Sequence, residues 1–169
     1  MAKALFITRK DLVSQTVIGG AVDTDKFTQN VKLVQDIYLK NIIGKDLLEK
    51  LEDDVINSTL TGDYLTLVKE YIKPYLVYMA ASDYILEAWA TVGNGGISQY
   101  DPDNATAVSY EDASKLSTNI GNKGEHYGKR LIDYLKDNKS LFAEYEQSTT
   151  KSYFYGWQLD TNNGCNENL

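Results

Sequence analysis

Residues 63–91, DYLTLVKEYIKPYLVYMAASDYILEAWAT, decide how the chain is read. Tyr64, Val68, Tyr71, Tyr75, Tyr78, Ser82, Ile85 and Trp89 recur at alternating steps of four and three, the spacing of one helical face. Leu65, Ile72, Leu76, Met79 and Leu86 widen that stripe, which predicts a central helix touched on two sides by others. Pro74 falls inside it. A mid-helix proline removes a hydrogen bond and crowds the preceding turn at a cost of about 3 kcal/mol, so a kink or break is expected near Lys73. Asp83 and Glu87 recur on the polar side, and the segment is read as a buried helix of a globular domain, not a membrane span.

Upstream, Ala4 to Thr8 reads as a short extended arm, followed by one or two helical turns with Thr8 as cap and Asp11 at the third helical position. Gly19 and Gly20 break the pattern, and Asp23 or Thr24 opens a firmer helix. Its buried face is Phe27, Val31, Val34, Tyr38 and Ile42, and Gly44 stands at the C-cap. From Lys45 to about Asn57, Leu47, Leu48, Leu51, Val55 and Ile56 face inward, with Glu49, Lys50, Glu52 and Asp53 outside. Residues 58–63, STLTGD, form a turn.

Downstream, residues 93–109 carry turn-forming clusters and alternating apolar positions, which predicts a projecting loop or a small β-hairpin. Its DPDN lacks the glycine and the distant Glu of a calcium loop, so no metal site is read there. A last long helix from about Tyr110 to Asn138 shows Leu116, Ile120, Tyr127, Leu131 and Tyr134 or Leu135 at helical spacing. Gly121, Gly124 and Gly128 either break it or form a small face that lets a neighbour approach, since each costs a helix roughly 1 kcal/mol relative to Ala. Leu141 to Glu146 forms a short turn. Residues 1–147 are read as one helical domain and 148–169 as an aromatic arm with a polar tail, which folds back on the core or docks on another molecule. The fold class is mainly α: a bundle of about four to five helices with a long loop or small β-hairpin and an extended C-terminal arm.

With 169 residues the chain can bury roughly 70% of its unfolded surface without disulfides or metal. The single Cys165 excludes a disulfide framework and a zinc ligand set. The opening MAKALFITRK lacks the apolar core of a signal peptide, and the expectation is a soluble protein made in the cytoplasm. Net charge is −7, and residues 51–110 carry the whole excess, with 9 acidic and 2 basic side chains. That argues against a nucleic-acid grip there and for a solvated acidic face or one that repels polyanions. Tyrosine, at 13 residues against 4 Phe, suits half-buried subunit interfaces as well as core edges.

No catalytic constellation is visible. His126 is the only histidine and is read as a surface residue, so neither a Cys-His nor a Ser-His-Asp arrangement has its parts. Carboxylate pairs such as Asp53 with Asp54 or Glu111 with Asp112 lack the apolar surroundings that raise a pKa for acid catalysis. There is no P-loop and no dinucleotide fingerprint, and no cofactor is expected.

The order of elements, carried by FITRKDLVSQT, DTDKFTQNVKLVQDIYLKNIIGKDLLEKL, YLTLVKEYIKPYLVYMAASDYI and the closing FYGWQL, resembles the head-tail connector (adaptor) proteins of tailed bacteriophages, in particular those of crAss-like phages. The resemblance implies a non-enzymatic virion protein, made in the host cytoplasm and placed in the neck at the portal vertex. There its copies form a ring, typically twelve-fold, between the portal protein and the tail or a second neck-ring protein. DNA passes through without sequence-specific binding, and no membrane is involved. On that reading Ile97, Tyr100, Tyr153, Phe154, Tyr155, Trp157 and Leu159 are the candidate partner-binding residues, and Glu52, Asp53, Asp54 and Asp63 the candidate acidic lining of the DNA channel. The competing readings are a small helical interaction module or regulator with no virion role, and an enzyme with an unrecognised site.

Overall fold

The computed structural model describes residues 4–19, 24–93, 96–99 and 108–145. Helix α1 (Arg9–Gln15) starts at a capping box: the Thr8 side chain accepts from the Asp11 backbone N–H, while the Asp11 carboxylate accepts from Thr8. The segment before it does not project, because Phe6 and Ile7 are buried in the core. Helix α2 (Thr24–Val34) runs into a π-helical turn over Gln35–Leu39 and closes as α3 (Lys40–Ile43). Gly44 then adopts φ 82°, a backbone open to glycine, and α4 (Lys45–Ile56) begins at once.

The π turn explains what spacing alone misses on this helix. Its wider turn brings Gln35 inward beside Val34 and Leu39, where it ties three segments together. Gln35 Oε1 accepts from the Phe6 backbone N–H at 3.3 Å, and its Nε2 donates to the Ala4 carbonyl and to Glu52 Oε1, both at 2.8 Å. Glu52 is therefore buried, whereas Ile56, expected to face inward, is 49% exposed.

Helix α5 (Gly62–Thr66) passes through a second π turn, Leu67–Ile72, into α6 (Lys73–Trp89). This is how the chain accommodates Pro74. The Lys73 N–H bonds to the Val68 carbonyl, five residues back, so the register has already widened where the proline withholds its own donor. The expected disturbance near Lys73 is thus a π turn that keeps the rod continuous. Tyr75, Leu76, Val77, Ala80 and Ala81 are all buried, because α6 is packed by α7 on one side and by α1 and α2 on the other.

Helix α6 ends at Trp89, two residues before the expected end, and a hairpin follows directly. Strands β1 (Ala90–Gly93) and β2 (Gly96–Gln99) pair antiparallel, with Val92 opposite Ile97. Of the two forms expected between 93 and 109, the hairpin is present, and it begins earlier, at Ala90. Helix α7 (Tyr110–Asp137) is capped by Ser109, whose side chain accepts from the Asp112 N–H, and it runs unbroken through its glycines. A Cβ on Gly124 would lie 2.6 Å from Met79 Sδ, and one on Gly121 would lie 3.0 Å from Ser82 Oγ. The glycines are the small face that lets α7 approach α6 closely. Leu116, expected inside, is 41% exposed. A 3₁₀ turn (Lys139–Leu141) then swings Phe142 and Tyr145 back into the core. The C-terminal arm, residues 148–169, lies outside the described residues.

Candidate interaction surface

Tyr64, Tyr71 and Tyr78 stand seven residues apart on the rod formed by α5, the second π turn and α6. Tyr127 and Tyr134 stand seven apart on α7. A seven-residue step is close to two turns, so each set stays on one edge of its helix. Rings meet in pairs: Tyr71 stacks on Tyr134 with centroids 4.0 Å apart, and Tyr78 stacks on Tyr127 at 5.4 Å. Tyr64 meets Phe142 edge-on at 5.3 Å. The result is a three-rung aromatic ladder along the edge where the two helices meet.

Each rung carries a cation. The Arg130 guanidinium lies 5.7 Å from the Tyr71 ring and 5.5 Å from the Tyr127 ring, spanning two rungs. Lys123 lies over Tyr78, and Lys50 over Tyr64. Lys50 also bonds Asp54, but the ion pairs among the described residues do not include Lys123 or Arg130. These two charges rest on π faces, open to an acidic partner. At the lower rung the Tyr64 hydroxyl donates to Glu144 Oε2 at 2.7 Å; burial, helped by that bond and the carboxylate charge, pushes the phenol up to about 12. Burial also raises Tyr134, with Tyr71 adding to it.

The opposite end of the α6–α7 pair is apolar and open. Trp89 Nε1 donates to the Val108 carbonyl at 2.9 Å, and its ring meets Tyr110 at 5.2 Å. Val108, Tyr110, Leu86 and Leu116 are exposed there, next to the start of the hairpin in sequence or on the adjoining helices. Leu33 at the end of α2 and Ile37 in the π turn that follows form a second exposed apolar step, about one turn apart.

Of the residues named from sequence, Tyr100, Tyr153, Phe154, Tyr155, Trp157 and Leu159 lie outside the described residues. Ile97 is in β2. Asp53 and Asp63 are exposed. Glu52 and Asp54 are turned inward: Glu52 accepts from Gln35, and Asp54 accepts from Lys50 and Thr59. The Lys50 bond above all holds the Asp54 carboxyl below its ordinary value. His126 is exposed, as read. Among the described residues, no group of three or more His, Cys, Asp and Glu side chains is placed to hold a metal ion, and no helix is long and apolar enough to cross a membrane. Sequence reading named the tyrosine stripe on α6 but missed its pairing with Tyr127 and Tyr134 and the part of Arg130. The shared seven-residue step on both helices was the available signal.

A family model matches residues 39–155, from the first π turn through the last rung of the ladder and beyond. The chain belongs to a family of unknown function, DUF6712. The DUF6712 stretch contains both ladder helices and the hairpin, so the surface described here is part of what the family model spans. No curated protein and no solved structure matches the chain.

Proposed function

We propose that the chain is a structural subunit of a tailed-phage neck. Its copies form a ring, on the twelve-fold pattern of the connectors it resembles, that joins the capsid portal to the tail or to a second neck ring and lets DNA pass. The observation that carries the reading is the tyrosine ladder. Half-buried rings with polar tips, topped by Arg130 and Lys123 without acidic partners among the described ion pairs, are what a lateral subunit contact uses. The exposed carboxylates Asp53 and Asp63 are the members of the acidic set available to line a channel that does not hold DNA. The apolar end around Trp89 and Tyr110, the hairpin and the aromatic C-terminal arm supply further contacts for the rings above and below.

The test is co-sedimentation of the purified chain with the portal rings of its phage. Trp157→Ala and Tyr155→Ala are expected to leave thermal unfolding unchanged and to weaken attachment. Loss of the fold in either variant would make the arm part of the core and contradict its docking role. Binding to duplex DNA is expected to be weak and insensitive to salt; tight binding with a steep salt slope would remove the repelling channel. A small helical interaction module is the second reading, favoured by the exposed Leu33 and Ile37 step where α2 runs into the first π turn. A well-folded chain that ignores portal rings would move the weight there.

A further inference from the structure

The outer edge of α7, beside the ladder, carries positive charge at helical spacing. Lys123, His126 and Arg130 are exposed and stand at i, i+3 and i+7, which puts them on one stripe about 10 Å long. Lys123 and Arg130 rest on tyrosine rings, and the ion pairs among the described residues include neither of them. Lys123 and His126 also line an open groove with Tyr78, Asn122 and Tyr127, which leaves room on the stripe for an incoming side chain.

The chain carries a matching surface elsewhere. On α4, Asp46, Glu49 and Asp53 are exposed at the same i, i+3, i+7 spacing, and Ile56 continues that stripe, exposed as well. Glu49 makes a solvent-exposed pair with Lys45 at 3.6 Å, of a kind that contributes little, and the ion pairs among the described residues include neither Asp46 nor Asp53. Two stripes of equal step and opposite charge complement each other when their helices lie side by side. A net charge of −7 makes two copies repel at a distance, so a contact between them has to set acid against base, as these stripes do. The direction follows from what flanks the charges. Laid antiparallel, Asp53 falls beside Lys123 and Asp46 beside Arg130, while Ile56 runs on towards the exposed Leu116; laid parallel, Ile56 would meet the exposed Asp133.

We propose that the α7 edge binds the α4 stripe of a second copy of this chain, laid antiparallel. Lys123 and Arg130 of one copy pair with Asp53 and Asp46 of the next, and His126 between them donates to Glu49. The two surfaces differ, so the contact is head-to-tail: each copy offers its α4 stripe to one neighbour and its α7 edge to the other, and the pattern closes as a ring where the rotation allows. Both helices lie in the stretch that the family model spans. The proposal rests on the neck reading, for which it names the neighbour's half of the lateral contact.

The experiment uses the full chain and two charge-reversed variants, Lys123→Glu with Arg130→Glu and Asp46→Lys with Asp53→Lys, followed by sedimentation velocity up to millimolar concentration. All four positions are exposed, so both variants are expected to keep the wild-type circular dichroism; if the α7 variant failed to fold, the α4 variant alone would carry the test. The wild-type chain is expected to self-associate, and each variant alone at least about tenfold more weakly, because its two stripes then carry the same charge. An equimolar mixture of the variants should recover association, since the altered stripe of each matches that of the other. A wild-type chain that stays monomeric, variants that associate as it does, or a mixture that recovers nothing would overturn the proposal. So would loss of association in Asp133→Lys with Asp137→Lys but not in the α4 variant, which would pair two α7 helices instead. Adding the portal rings of its phage separates this contact from the neck reading: wild-type association without attachment keeps the contact and removes the neck role, whereas rings on the portal that form equally well from either variant remove the contact and keep the role.

Discussion

Helix α6 is held on its two sides by different means. Against α7 the contact is made by shape: glycines at 121 and 124 admit Ser82 and Met79, and stacked tyrosines close the outer edge. Against α2 it includes an amide, a phenol and two carboxylates, with one amide oxygen left over. Shape complementarity fixes a helix pair in one register and tolerates no extra atoms. A polar patch adds little net stability when part of it is unsatisfied. The α7 side is accordingly the scaffold, and the α2 side is the contact that should better tolerate a change of side chain.

The largest expected effect breaks the scaffold side. Gly124→Val drives a branched side chain onto Met79, whose Sδ lies 2.6 Å and backbone N 3.3 Å from the added Cβ, and should cost about 3 kcal/mol in urea unfolding. Asn30→Leu, on the α2 side, should lie within about 1 kcal/mol of wild type or stabilise, because it removes an unpaired polar atom from a buried position. Equal losses at the two positions would erase the contrast.

An alkaline series sharpens the comparison next. The Tyr64 phenol ordinarily ionises at 10 and is raised to about 12 in the fold, so the folded chain binds more protons than the unfolded chain between those values. Its contribution is complete below pH 10 and is lost as pH rises toward about 12. Stability measured by urea unfolding should therefore fall across that window, and Tyr64→Phe should flatten the fall. A slope unchanged by Tyr64→Phe would place the titrating group elsewhere.

Smaller effects lie along the ladder. A double-mutant cycle of Tyr71→Leu and Tyr134→Leu should give a coupling of about 1 kcal/mol, from the stacked pair at 4.0 Å. Arg130→Gln should cost the isolated subunit only about 0.5 kcal/mol, since its guanidinium is itself exposed to water over the two ring faces. In the proposed ring the same change should matter more, because there the charge would meet a neighbour.

Much of the scaffold was legible because local chemistry dictates it. Thr8 with Asp11 marks the first helix, Gly44 the only break between α3 and α4, and the tyrosine stripe the central rod. The glycines of α7 could be read as a break or as a close contact, and only the position of Met79 decides. What stayed hidden depends on distant partners. The inward turn of Glu52 needs Gln35, which a π turn brings round from 17 residues away. Asp83 read as a polar-side carboxylate, yet it is half-buried and burial raises its carboxyl, so its surroundings changed its chemistry without changing its helix. Among the site residues, the acidic set was named by charge density, which cannot distinguish Asp53 on the outer side of α4 from Asp54, bonded to Lys50 and Thr59.

The central claim is that these helices build a neck ring, and the most direct measurement is electron microscopy of the purified chain mixed with the portal rings of its phage. The predicted result is a symmetric ring added beneath the portal, with the Arg130 edge of the tyrosine ladder against the adjacent copy. Well-folded monomers beside bare portals, or a ring whose ladder edge faces solvent, would contradict the account.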